Sequence, residues 1–142
     1  MTKIALIGNP NCGKTTLFNI LTGSRQKVGN WPGVTVEKKF GYFRLDGQEV
    51  ELVDLPGIYS LEQDYKGLDE QIAHDYLIRG EIDLIINIID ASNLERSLVL
   101  SQQLQEMPIP MIVVLNMLDV AEQSGITLAP TKLQENLGAT VI

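Results

Sequence analysis

Hydrophobic positions along the chain fall into two alternating patterns. Short apolar runs such as Lys3-Ile-Ala-Leu-Ile7, Glu49-Val-Glu-Leu-Val53, Ile82 to Ala91 and Pro108 to Leu115 read as strands, and the stretches between them carry apolar residues at helical spacing. The pattern predicts strands over 3–8, 37–45, 49–54, 83–90 and 111–116, helices over 14–23, 68–79 and 95–106, a short helix over 119–123, a weaker one over 130–137 and a strand from 139. Asp46-Gly47 between two apolar runs is a tight-hairpin signal, so one pair of strands is expected to be antiparallel. The others need helical crossovers and are expected to be parallel, giving an α/β fold with a roughly six-stranded, mostly parallel sheet and helices on both faces. Two long polar loops, 24–36 and 55–67, interrupt a scheme in which connections are usually about 2–6 residues, and loops of that length usually carry function.

The first strand runs into Gly8-Asn9-Pro10-Asn11-Cys12-Gly13-Lys14-Thr15, the pattern Gly-x4-Gly-Lys-Thr, and then into the helical run that begins at Thr15-Thr16. Strand, glycine-bearing loop and helix together make a phosphate-binding loop: backbone amides turn inward around an anion, and the helix adds its unpaired amides and positive dipole end. Lys14 is placed to meet the β and γ phosphates and Thr15 to give its hydroxyl to Mg²⁺. A chance match is the bland alternative, and the correct flanking elements argue against it.

Three weaker signals follow in order. Asp54-Leu55-Pro56-Gly57 ends a strand; an aspartate there can hold a metal through water, and the Gly57 amide can bond a γ-phosphate oxygen. The same four residues also make a good ordinary turn. Asn116-Met117-Leu118-Asp119 ends the strand 111–116; a carboxylate at Asp119 can accept both N1–H and the 2-amino group of guanine, which selects guanine over adenine, while Asn116 braces the loop and touches the base edge. The bland reading is a helix N-cap. Thr35, in Gly33-Val34-Thr35-Val36-Glu37 of the first long loop, can close over the nucleotide and donate to Mg²⁺, a reading that rests on its position alone.

Composition narrows the partners. The 142 residues carry 18 acidic against 11 basic side chains, with a pI near 4.6, so no basic stripe exists for a nucleic-acid backbone or an anionic lipid. One cysteine excludes an internal disulfide and suits a reducing compartment. No apolar run approaches the about 20 residues needed to span a bilayer, which predicts a soluble chain. The last residues, Gly138 to Ile142, begin a strand without a turn after it, so the chain reads as a piece of something longer. Cys12 reads as a small loop residue, His74 as an isolated histidine, and Trp31 either as packing or as a nucleotide-sensitive contact to another domain or subunit.

Taken together, these boxes resemble those of a translation-factor-type GTPase. The stretches Val28-Gly-Asn-Trp-Pro-Gly-Val-Thr-Val-Glu37, Asp54-Leu-Pro-Gly-Ile-Tyr-Ser-Leu61 and Asp90-Ala-Ser-Asn-Leu-Glu-Arg96 are similar to the N-terminal G domain of the ferrous-iron transport protein B family, FeoB, across essentially the whole chain. The resemblance implies a Ras-like P-loop GTPase fold that binds GTP and GDP with Mg²⁺. It also implies a helical spacer and a membrane permease domain carrying Fe²⁺ in the same full-length protein, at the cytoplasmic face of the bacterial inner membrane, with self-association through the switch loops. A fifth base-lining box would begin about where the chain stops. By resemblance Asn11 helps hold a K⁺ ion that backbone carbonyls of the Gly29–Trp31 segment complete, Met117 replaces a usual lysine, and Ile58 stands where many relatives carry a water-orienting glutamine, which predicts slow turnover. A slow nucleotide-sensing module and a soluble ribosome- or RNA-associated GTPase are the alternatives; the acidic balance argues against the latter.

Overall fold

The computed structural model describes residues 1–61 and 67–116, and the backbone of 140–141. Among these, seven strands form one sheet: β1 (Thr2–Gly8), β2 (Gln26–Asn30), β3 (Glu37–Leu45), β4 (Gln48–Asp54), β5 (Leu84–Asp90), β6 (Met111–Asn116) and β7 (Thr140–Val141). They lie in the order β2-β3-β4-β1-β5-β6-β7. The helices are α1 (Lys14–Thr22), α2 (Leu68–Arg79) and α3 (Leu94–Gln105). The helices expected over 119–123 and 130–137, with Met117 and Asp119, lie outside the described residues.

β1 occupies the middle of the sheet, parallel to β4 on one side and to β5 on the other. Its side chains alternate between two cores, which is why its sequence is a continuous apolar run. Ile4 and Leu6 pack with Phe18 of α1 and with Val50 and Leu52 of β4. Ala5 and Ile7 face the other way, against Ala73 and Leu77 of α2 and Leu100 and Leu104 of α3. Helices therefore cover both faces. Among the buried polar residues, Asn87 of β5 is 1% exposed: its Nδ2 donates to the Ile7 carbonyl at 3.2 Å and its Oδ1 accepts from the Ser101 hydroxyl, tying α3 to the sheet centre.

One segment differs from the sequence expectation. Gln26–Asn30, inside the stretch expected to be a polar loop, is a strand that pairs antiparallel with β3 and adds a seventh member to the sheet. Its residues are mostly exposed, so no apolar alternation marks it, and its pairing is carried by the backbone. β3 is antiparallel to both neighbours and is the single strand running against the rest. The β3–β4 hairpin turns at Asp46 and Gly47, with φ of 52° and 80°, as the dipeptide predicts.

Candidate functional site

Register brings the chemistry to one rim. Leu6 lies opposite Asp54, Gly8 opposite Ile88, and Asp90 opposite Asn116, so the carboxyl ends of β4, β1, β5 and β6 finish in that order along one rim, across the point where the strand order switches direction. Residues 9–13 leave β1 and enter α1 through two left-handed positions, Asn11 at φ 63° and Gly13 at φ 92°. Gly13 is required twice over: its φ strains any L side chain, and a Cβ there would lie 1.9 Å from Asn116 Nδ2. That same Nδ2 donates to the Cys12 carbonyl at 2.9 Å, so β6 braces the loop. Cys12 itself is 1% exposed, and burial pushes its thiol pKa up, which suits a packing role.

The start of α1 is left uncapped by side chains. It has no acidic residue in its first turn, and Thr15 and Thr16 stand exposed there. Lys14 folds back onto Asp54, Nζ against Oδ1, with side chains 11% and 7% exposed. Burial raises the Asp54 pKa; the charges of Lys14 and Lys39 pull it back only in part. Asn9, 7% exposed, has an Oδ1 with no partner among the described residues.

Past Asp54 the chain stays on β1 and steps onto the phosphate loop. The Leu55 amide donates to the Leu6 carbonyl at 3.0 Å and the Ile58 amide to the Gly8 carbonyl at 3.1 Å. Between them Pro56-Gly57 crosses the loop so closely that a Cβ on Gly57 would sit 3.0 Å from Pro10 Cα. Ile58, 1% exposed, is a core residue packed with Leu55 and Ile7. Its side chain points into the core, away from the rim position at which a water-orienting residue is expected from the resemblance.

Thr35 is placed differently. Trp31 to Val34 form a turn with Pro32 and Gly33 at its corners, closed by Val34 N–H to the Trp31 carbonyl at 3.2 Å, and the Trp31 amide donates to Val36 at 3.0 Å. Lys39 pairs with Asp54 and β3 runs on to Glu37, about 7 Å of strand past that level, and Thr35 lies in the turn beyond the end of β3. Thr35 is exposed at the hairpin tip, with Gly33 exposed and Val34 half-buried beside it. Gly29 sits in β2 opposite Lys38. Trp31 is 5% exposed and packs in the core, edge-on to Tyr76 at 5.3 Å.

The structure thus gathers Gly8–Thr15, Asp54–Gly57 and Asn116, and leaves Gly33–Thr35 outside that cluster. It also brings together two residues of the resembling stretches to which the sequence assigned no role. Tyr59 and Arg96 stack, guanidinium carbon 3.9 Å from the ring centroid, over a cavity of about 220 Å³ beside Asn9 and Asn11. Two larger depressions, about 470 and 610 Å³, lie at the amino ends of the strands around Met1 and Glu49 and do not touch the phosphate loop.

The sequence pattern described as ferrous iron transport protein B matches residues 2–142. The Fe(2+) transporter FeoB of Escherichia coli K12 is 59% identical over 141 residues, 98% of this chain and 18% of that protein. The solved cytosolic domain of L. pneumophila FeoB superposes with a TM-score of 0.93 at 55% identity, covering 99% of this chain and 61% of that one. The cytosolic domain of the T. maritima FeoB iron transporter in its GMPPNP form gives 0.92 at 48%, covering 100% and 56%. The fold is that of FeoB G domains, and the chain spans about a fifth of the length of the curated relatives it matches. With the phosphate loop, the Asp54–Gly57 segment and Asn116 meeting at one rim of that fold, the chain belongs to the ferrous iron transport protein B family.

Proposed function

We propose that the chain binds guanine nucleotide and hydrolyses GTP to GDP and phosphate, in the service of ferrous iron uptake by a membrane permease domain of a longer protein. One observation carries the reading: Lys14 and Asp54 meet in a buried ion pair directly under the uncapped start of α1, so cation, acid and anion-binding amides share one rim. The solved T. maritima relative in GMPPNP form, with 48% identity, supports it.

In this reading the loop Gly8–Gly13 cradles the phosphates through its amides, Lys14 leaves Asp54 to bind the β and γ oxygens, and the Gly57 amide reads the γ-phosphate. Thr15, Thr35 and Asp54 (through water) are the residues for Mg²⁺, and Asn11 with the Gly29 and Trp31 carbonyls for K⁺; the two cations supply positive charge against the phosphates. The uncapped helix start and the unpartnered buried Asn9 amide oxygen fit such a charged occupant. Asn116, Met117 and Asp119 take the base. Switch-loop self-association and attachment at the cytoplasmic face of the inner membrane belong to the same reading.

The test is nucleotide titration with hydrolysis assays. GTP and GDP are expected to bind and ATP not, phosphate release to be faster in K⁺ than in Na⁺, and Lys14→Ala to abolish both. A K⁺ response that survives Asn11→Ala removes the cation assignment. A second reading, a nucleotide-sensing module too slow to act as an enzyme by itself, draws on Ile58, whose side chain is committed to the core. Single-turnover hydrolysis slower than nucleotide dissociation would favour it.

A further inference from the structure

The side chain of Lys38 lies among three aromatic rings. Its Nζ is 5.0 Å from the centroid of Trp31, 5.3 Å from Phe40 and 5.8 Å from Tyr76. All three fall within the about 6 Å range in which an ammonium is held by the ring quadrupole. Two of the rings, with Lys38 itself, come from the β2–β3 hairpin that carries Thr35; the third comes from α2, the helix that follows the Asp54–Gly57 segment. Trp31 and Tyr76 also touch each other edge to face, with ring planes at 68°. The cage therefore joins the Thr35 hairpin by side chains to α2, the helix that follows the Asp54–Gly57 segment.

In the hairpin held by this cage Thr35 lies past the start of β3, and no rotamer of a threonine spans the about 7 Å of strand between Glu37 and the level of Asp54. For Thr35 to reach a metal at Asp54, residues 31–36 must leave the turn closed by the Val34 and Trp31 amides, and Trp31 must shift with them. Among the described residues the buried indole Nε1–H has no acceptor, so the caged position forgoes a hydrogen bond that an opened one can regain from water.

We propose that Lys38, Trp31 and Tyr76 are positioning residues: the Lys38 cage fastens the Thr35 hairpin to α2 in its extended form, and its release is the step that lets Thr35 close over a nucleoside triphosphate. The proposal rests on the nucleotide reading above. Removing the cation loosens the extended form without touching the phosphate cluster, so it favours the triphosphate and leaves the diphosphate alone.

The experiment compares the unaltered chain with Lys38→Met, which keeps the stem and removes the charge, and Lys38→Arg, which keeps a cation for the rings. Affinities for GDP and a non-hydrolysable GTP analogue are measured, together with the emission of Trp31, the single tryptophan. Lys38→Met is expected to raise analogue affinity relative to GDP by about five-fold, with GDP affinity unchanged and Lys38→Arg close to the unaltered chain. In the unaltered chain, analogue binding is expected to shift Trp31 emission to the red and GDP binding to leave it in place. An unchanged analogue-to-GDP ratio in Lys38→Met, or equal weakening of both nucleotides, overturns the cage proposal. Failure of the unaltered chain to bind either nucleotide overturns the functional reading itself.

Discussion

Lys14 Nζ and Asp54 Oδ1 form an ion pair at the rim of the sheet, 40 residues apart in sequence and both nearly closed to solvent. Breaking such a pair from one side leaves an uncompensated buried group. Lys14→Ala is expected to destabilise the nucleotide-free chain by about 3 kcal/mol, softened because Asp54 can take up a proton. Lys14→Ala with Asp54→Leu together should cost less than Lys14→Ala alone. Urea denaturation of the two single variants and the double variant measures the coupling; strictly additive losses would refute it.

The same pair sets a pH dependence. Burial holds the Asp54 pKa above its ordinary 3.8 in the folded chain. Between that value and the raised one, the native state keeps a proton that the unfolded state has released. The contribution of this group to stability is then fully present below the ordinary value and declines as pH rises through the raised one. Denaturation midpoints across this window should slope downward from this group, and Asp54→Asn should remove that component.

Ile58 offers a test of where its side chain points. It is packed against Ile7 and Leu55 in the core, while its amide holds the Gly8 carbonyl. Installing the hydrogen-bonding residue that the sequence lacks, Ile58→Gln, buries an amide in that core and is expected to destabilise by about 2–4 kcal/mol. It should not accelerate hydrolysis. A faster single-turnover rate with unchanged stability would mean that the side chain swings toward the phosphates.

Two hydrogen bonds separate site from scaffold. Asn116→Ala removes the donor to the Cys12 carbonyl and is expected to weaken nucleotide binding while costing about 1 kcal/mol of stability. Ser101→Ala leaves the Asn87 amide oxygen without its donor, at about 1–3 kcal/mol, and should leave nucleotide affinity unchanged. Thermal melts paired with nucleotide titrations distinguish them; an equal affinity loss in both variants would argue that the loop is held by the whole core.

Local signals in the sequence were enough for β1, α1, α2, the β3–β4 hairpin and the turn between β1 and α1, because each is written in neighbouring residues: a continuous apolar run for a strand buried on both faces, Asp46-Gly47 for the hairpin turn, glycines where the chain must turn against its own side chains. β2 was illegible for the complementary reason. An exposed edge strand is held by backbone hydrogen bonds, which leave no pattern in side-chain polarity. Tertiary structure alone decided that Lys14 meets Asp54, that Asn116 braces Cys12, that Ile58 and Trp31 belong to the core, and that Lys38 sits among three rings from two elements. Each joins positions through register and packing, distances that no local spacing encodes. The residue types of the motifs were thus determined by the chain itself, while the meeting of Gly8–Thr15, Asp54–Gly57 and Asn116 at one rim was decided by how the sheet and helices close around β1.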